Sequence, residues 1–120
     1  MPAQDLNDPK ALGRQLKTKA KTAQRLLQDY TLYGKEAEEQ KLKVDKMVAD
    51  NADEYELRNA NKILDESNRM IKDSETRLGQ AVQELRGLVV RVRSSTECAE
   101  NAELREELIK AEEALEAASM

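Results

Sequence analysis

Two rows of largely apolar residues repeat every seven positions along the first part of the chain. Leu16, Ala23, Tyr30, Ala37 and Val44 form one row; Leu12, Lys19, Leu26, Tyr33, Gln40 and Met47 form the other. The steps alternate between three and four, the spacing that keeps one stripe of a helix against a partner helix. This first helix is predicted over 9–49, after a flexible N-terminus at 1–8. Asp8 can cap it, and Pro9 suits the first helical position, where its absent N–H is not needed. The pattern breaks at "VADNADEYE" (48–56), where Asn51 with Glu54, or Asp53 with Glu56, would make a capping box. A second helix is predicted over 53–92, with the cleanest period in the chain. Leu57, Leu64, Ile71, Leu78, Leu85 and Val92 recur at sevens, and Ala60, Ser67, Ser74, Ala81 and Leu88 fill the alternate positions. This second row is small, so the first helix can approach closely and seat its tyrosines there. "RSSTE" (93–97) breaks the pattern again, with Ser94 and Glu97 as another capping box. The last helix is predicted over 96–118, with Asn101, Leu104, Leu108, Ala111 and Leu115 as its seam.

Length sets the architecture. At about 1.5 Å per residue the first two helices run roughly 55–60 Å and the third about 33 Å. The short connections favour antiparallel neighbours. The expected fold class is therefore all-α: a single domain over 1–120, a rod-like antiparallel three-helix bundle in up-down-up order. The third helix can cover only the half of the hairpin built from the start of helix 1 and the end of helix 2. The seam widens there through Ala20, Leu27, Val82 and Val89, whereas the equivalent distal positions, Lys41, Asn61, Asn68 and Glu75, are polar.

Charge adds a choice of neighbour. Residues 10–25 carry six bases and no acid, while 97–120 carry eight Glu against Arg105 and Lys110, a net of −6. Helix 1 and helix 3 are thus expected side by side, positive against negative. The basic stretch is also a candidate nucleic-acid contact. The net charge of −4 and the absence of interleaved aromatics favour the intramolecular match, so no nucleic-acid partner is expected.

Composition removes most chemistry. There is no histidine, and Cys98 is the sole cysteine, so neither a disulfide within the chain nor a thiolate metal cluster can form. No glycine-rich phosphate loop or nucleophile–base set occurs. The carboxylates of "KEAEEQ" (35–40) have no apolar cleft to separate their pKa values. No enzyme, cofactor or metal is expected. The longest apolar run, Leu88-Val89-Val90, is far too short for a membrane span, and the polar opening is unlike a signal peptide. A cytoplasmic protein with no membrane partner is expected. Cys98 reads as a partly buried cysteine, with a redox-sensing thiolate near a helix start as the alternative.

Some residues do not fit the seam. Leu32 and Leu42 fall on the outer side of helix 1, and Ile63 and Met70 widen the stripe of helix 2, all in the half that helix 3 leaves uncovered. They suggest a docking or dimer surface, against the simpler reading that Ile63 and Met70 cover a two-helix seam. Tyr30 and Tyr33 belong to the seam. Gly34 beside them is expected to make room for a neighbouring backbone or a tilted ring.

An ordered set of residues at fixed spacing also carries a likeness. Tyr33-x-Lys35-Glu36-Ala37, Lys46-Met47, Tyr55, Ile63-Leu64-x-Glu66-Ser67, Met70-Ile71-x-Asp73 and Arg77-Leu78, with Lys19 and Arg25-Leu26 upstream, resemble the tubulin-folding cofactor A family from about Arg14 to about Arg86. The resemblance implies a three-helix chaperone that captures β-tubulin folding intermediates after chaperonin release and passes them toward αβ-heterodimer assembly. It implies work in the cytoplasm beside the cytoskeleton, with other tubulin-folding cofactors as further partners and without nucleotide or metal. This chain has Lys72 where the family often has proline, and Ala52 where glycine is common. Candidate client contacts are Lys35, Glu36, Leu42, Ile63, Glu66 and Met70. A monomer is favoured, with a homodimer open. The rival readings are a coiled-coil adaptor, a prefoldin-like subunit and a general helical holdase.

Overall fold

The structure is a computed structural model that describes residues 8–96 and 100–118. Among them stand three long helices, α1 (Pro9–Ala49), α2 (Glu54–Arg93) and α3 (Ala102–Ala118), and no strand. The remaining residues, Glu97 and Cys98 included, lie outside the described residues, so the Ser94–Glu97 box and the reading of Cys98 do too.

Local chemistry explains the helix ends. The Asp8 carboxylate accepts from Lys10 N–H at 3.2 Å, and its carbonyl accepts from Leu12 N–H at 2.9 Å. That makes Asp8 the cap and Pro9 the first helical residue. At the far end of α1, Asn51 adopts φ 53°. Ala52 N–H reaches Met47 C=O at 2.9 Å and Asn51 N–H reaches Val48 C=O at 3.2 Å. This is the paired closure in which a left-handed residue, commonly Gly, ends a helix; Asn serves here. Asn51 therefore closes α1 and does not open α2. The opening belongs to Asp53, whose carboxylate accepts from Tyr55 N–H at 3.2 Å.

The described start of α3 is set by Asn101. Ser94 turns its hydroxyl back to Arg91 C=O at 3.0 Å. Asn101 is not helical, and its side-chain oxygen accepts from Leu104 N–H at 3.0 Å. It caps α3 instead of filling a seam position, because a short polar side chain satisfies a free N–H better than it fills an apolar interface.

The chain divides into two compact units. The first, 1–27 with 78–120, holds a three-helix core. Leu12, Leu16, Ala20 and Ala23 of α1, Leu85, Leu88, Val89 and Val92 of α2, and Leu104, Leu108, Ala111 and Ala114 of α3 form one buried cluster. Complete burial of Leu16, Leu85 and Val92 contributes about 1.5–3 kcal/mol each. Lys19 pairs with Glu84 at 3.2 Å, and Arg93 of α2 pairs with Glu112 of α3. Both pairs are exposed enough to contribute at most about 1 kcal/mol, so they select neighbours more than they stabilise. Lys10, Arg14 and Lys17 of α1 face Glu103, Glu106 and Glu107 of α3 across an open cleft of about 480 Å³, the expected positive-to-negative match.

The second unit, residues 28–77, is a two-helix hairpin. Its seam buries Ala37, Val44, Ala60 and Ser74 and half-buries Tyr30, Tyr33, Met47, Leu57, Leu64 and Ile71. Gln40 Nε2 donates to Ala60 C=O at 3.0 Å, a partly buried polar contact that fixes the register. Counting back from it sets Tyr33 level with Ser67, so the ring stands opposite the small row.

A Cβ at Gly34 would meet nothing within 4 Å, so the space expected for a backbone or ring is not needed. Gly34→Ala should therefore raise stability by up to about 1 kcal/mol, read as a higher thermal midpoint. An unchanged or lower midpoint would count against open space at that site. The Ser74 side chain is 4% exposed, and its hydroxyl has no hydrogen-bond partner. Ser74→Ala removes an unsatisfied polar atom from the seam and should add about 1 kcal/mol in urea unfolding; a loss would mean the hydroxyl is bonded in solution.

Candidate functional site

The candidate contacts all lie on the second unit, and all six are exposed. Helical spacing separates them. Ile63, Glu66 and Met70 each directly precede a seam residue of α2 (Leu64, Ser67, Ile71) and form one stripe at i, i+3 and i+7. Glu36 precedes Ala37 on α1 in the same way. Leu32, 52% exposed, precedes Tyr33. Lys43 precedes Val44, and a cleft of about 310 Å³ has Lys43 and Met47 on one wall and Asn59 and Ile63 on the other. The flanks that precede the two seams therefore open on one side of the hairpin. This brings Glu36, Ile63, Glu66 and Met70 together.

Lys35 and Leu42 fall elsewhere. They are seven residues apart and so share a face, and each lies two residues, about 200°, from the seam positions Ala37 and Val44. They occupy the back of α1. Tyr55, 76% exposed in the first turn of α2 and part of the cleft wall, was not among the expected contacts. As the one tyrosine off the heptad rows, it carried a signal that could have been used.

The arrangement is suited to holding. Ile63 and Met70 are 44% and 45% exposed, so each offers half a side chain for burial. Among the described residues no group of His, Cys, Asp and Glu could hold a metal ion, and no helix is long and apolar enough to cross a membrane. The one ion pair among described residues of this unit, Arg58 with Glu54 at 3.7 Å, leaves the stripe's carboxylates Glu36 and Glu66 outside it.

Known proteins resemble this chain over most of its length. Residues 11–115 match the family described as tubulin binding cofactor A. The chain is 35% identical to tubulin-specific chaperone A of Rattus norvegicus over 98 residues, 82% of this chain and 89% of that one. Identity to the Homo sapiens protein is 34% over the same shares. Among solved structures, tubulin folding cofactor A from Arabidopsis thaliana superposes with a TM-score of 0.75 at 27% identity, covering 91% of this chain and 96% of that chain. Human tubulin chaperone cofactor A superposes with a TM-score of 0.71 at 29% identity, covering 91% and 99%.

Proposed function

Because the chain belongs to the tubulin binding cofactor A family and is a tubulin-folding chaperone by that membership, we propose that it captures β-tubulin after chaperonin release and passes it toward αβ-heterodimer assembly. The family match across residues 11–115 carries this reading. The exposed apolar stripe on a two-helix unit supports it, because holding a partly folded client requires reversible burial of modest apolar area. The work is binding without catalysis, in the cytoplasm, with other tubulin-folding cofactors as hand-off partners. Glu36, Ile63, Glu66 and Met70 form the primary contact. Lys35 and Leu42 join it where the client wraps around α1. The free protein works as a monomer.

A pull-down from cytosol with an excess of unrelated unfolded protein tests this reading. Tubulin should be retained against the competitor. Equal displacement would favour a general holdase. A mass that rises with concentration in sedimentation would favour a self-associating coiled-coil adaptor.

A further inference from the structure

We propose that the flank of the second unit bearing Leu32, Ile63 and Met70 receives a basic amphipathic helix, an inference that rests on the reading that this protein holds a client. The hairpin has two long flanks, formed by the residues that directly precede and directly follow each seam position. One residue is about 100° of helical turn, so these rows lie on opposite sides of the pair. They differ in character. The following row carries four acids (Glu38, Asp45, Asp65, Glu75) against three bases (Lys41, Arg58, Lys72), and Val48 is its exposed large hydrophobic. The preceding row carries six acids (Asp29, Glu36, Glu39, Glu56, Glu66, Asp73) against Lys43, Lys46 and Arg77, a net of −3, and it holds Leu32, Ile63 and Met70. Both lysines sit toward the turn. From Asp29 to Glu39 and from Ile63 to Asp73 the row has no base at all.

The register set by Gln40 and Ala60 places Leu32 level with the turn between Glu66 and Met70, and Glu36 level with Ile63. The result is a flank on which Leu32, Ile63 and Met70 alternate with carboxylates. A groove between two antiparallel helices runs along their axes, so its natural occupant is a third helix. Ile63 and Met70 are two turns apart, about 10.5 Å, which suits apolar residues at i and i+7 of that helix. The carboxylates require it to carry Lys or Arg beside the apolar stripe. They would repel an acidic helix, and like charges across an interface also suppress wrong partners.

The probe is a labelled model peptide of about 18 residues, five helical turns, with Leu on one face and Lys elsewhere, and a counterpart with Glu for Lys. Fluorescence anisotropy with the full chain reads binding. The Leu/Lys peptide should bind, more weakly as salt rises, and the Leu/Glu peptide should not. Glu36→Lys with Glu66→Lys should weaken binding at least about tenfold, and Glu38→Lys with Glu75→Lys on the opposite flank less than about twofold. Ile63→Asp with Met70→Asp, helical content unchanged by circular dichroism, should also weaken it. Equal loss from the two charge-reversal pairs, equal binding of both peptides, or binding of neither overturns the proposal. Tubulin capture by the same preparation reports separately. Capture without peptide binding sinks the inference and leaves the client reading standing. Peptide binding that depends on the flank, without capture, supports the ligand class and sinks the client reading.

Discussion

Leu85→Ala should lower the stability of the protein by about 2–5 kcal/mol and its thermal midpoint by about 10–20 °C. Leu85 is 0% exposed and sits in the buried cluster to which α1, α2 and α3 all contribute. Removing its isobutyl group loses the transfer free energy of those atoms and leaves a cavity that three helices can only partly close. Leu42→Ala is the control, since Leu42 is 63% exposed and its truncation should change stability by less than about 0.5 kcal/mol. The same logic sets a gradient along α2. Leu64, half-buried in the two-helix unit, should cost less than Leu85 on truncation. Amides of 54–70 should exchange with deuterium faster than those of 80–92, because fewer buried side chains hold them. Urea unfolding by circular dichroism measures the first contrast and native-state exchange the second. Equal losses from Leu85 and Leu42 would refute the buried cluster.

Ile63→Asp combined with Met70→Asp should weaken capture of β-tubulin at least about 30-fold, with the thermal midpoint nearly unchanged. Each side chain is about half exposed, so its further burial against a client supplies roughly 1 kcal/mol, half of a full side-chain burial. Two such losses total about 2 kcal/mol, and every 1.4 kcal/mol is tenfold in affinity. The new carboxylates add a desolvation cost, so the figure is a lower bound. Neither residue lies in the buried seam, which is why folding should tolerate the change. Val48→Asp, on the opposite flank, should leave capture intact, and Leu42→Asp reports whether the client reaches the back of α1. Affinity measured by anisotropy or surface capture decides. Undiminished capture in the double variant would move the contact off this flank.

The heptad rows explain why so much of the fold was readable from sequence. Leu16, Ala23, Ala37 and Val44, and Leu78, Leu85 and Val92, are buried as their spacing requires. Tyr30 and Tyr33 are half-buried seam residues, as their positions in those rows imply. Small polar residues were harder, because one side chain can serve two local structures. Asn51 has the chemistry of a cap for α2, yet it also tolerates the left-handed backbone that ends α1, and the tight turn uses the second property. Asn101 has seam spacing and cap chemistry at once, and the free N–H of Leu104 decides between them. Gly34 could not be read at all, since an absent side chain looks the same whether a neighbour fills the space or nothing does. The candidate contacts were legible one by one as exposed apolar and charged residues. Their division between a flank and a back follows from their spacing to the seam rows; which of them stand level across the hairpin required the register that Gln40 and Ala60 fix. Charge was legible in sign, with basic α1 opposite acidic α3, but an interhelical pair of α3, Arg93 with Glu112, reaches α2.

The most direct measurement of the central claim is capture of newly released tubulin. Labelled β-tubulin and, separately, α-tubulin would be released from the cytosolic chaperonin in the presence of the purified chain and resolved on a native gel. A discrete complex of this protein with β-tubulin, and none with α-tubulin, is the expected result. Complexes with both in equal amount, or with neither, would contradict it.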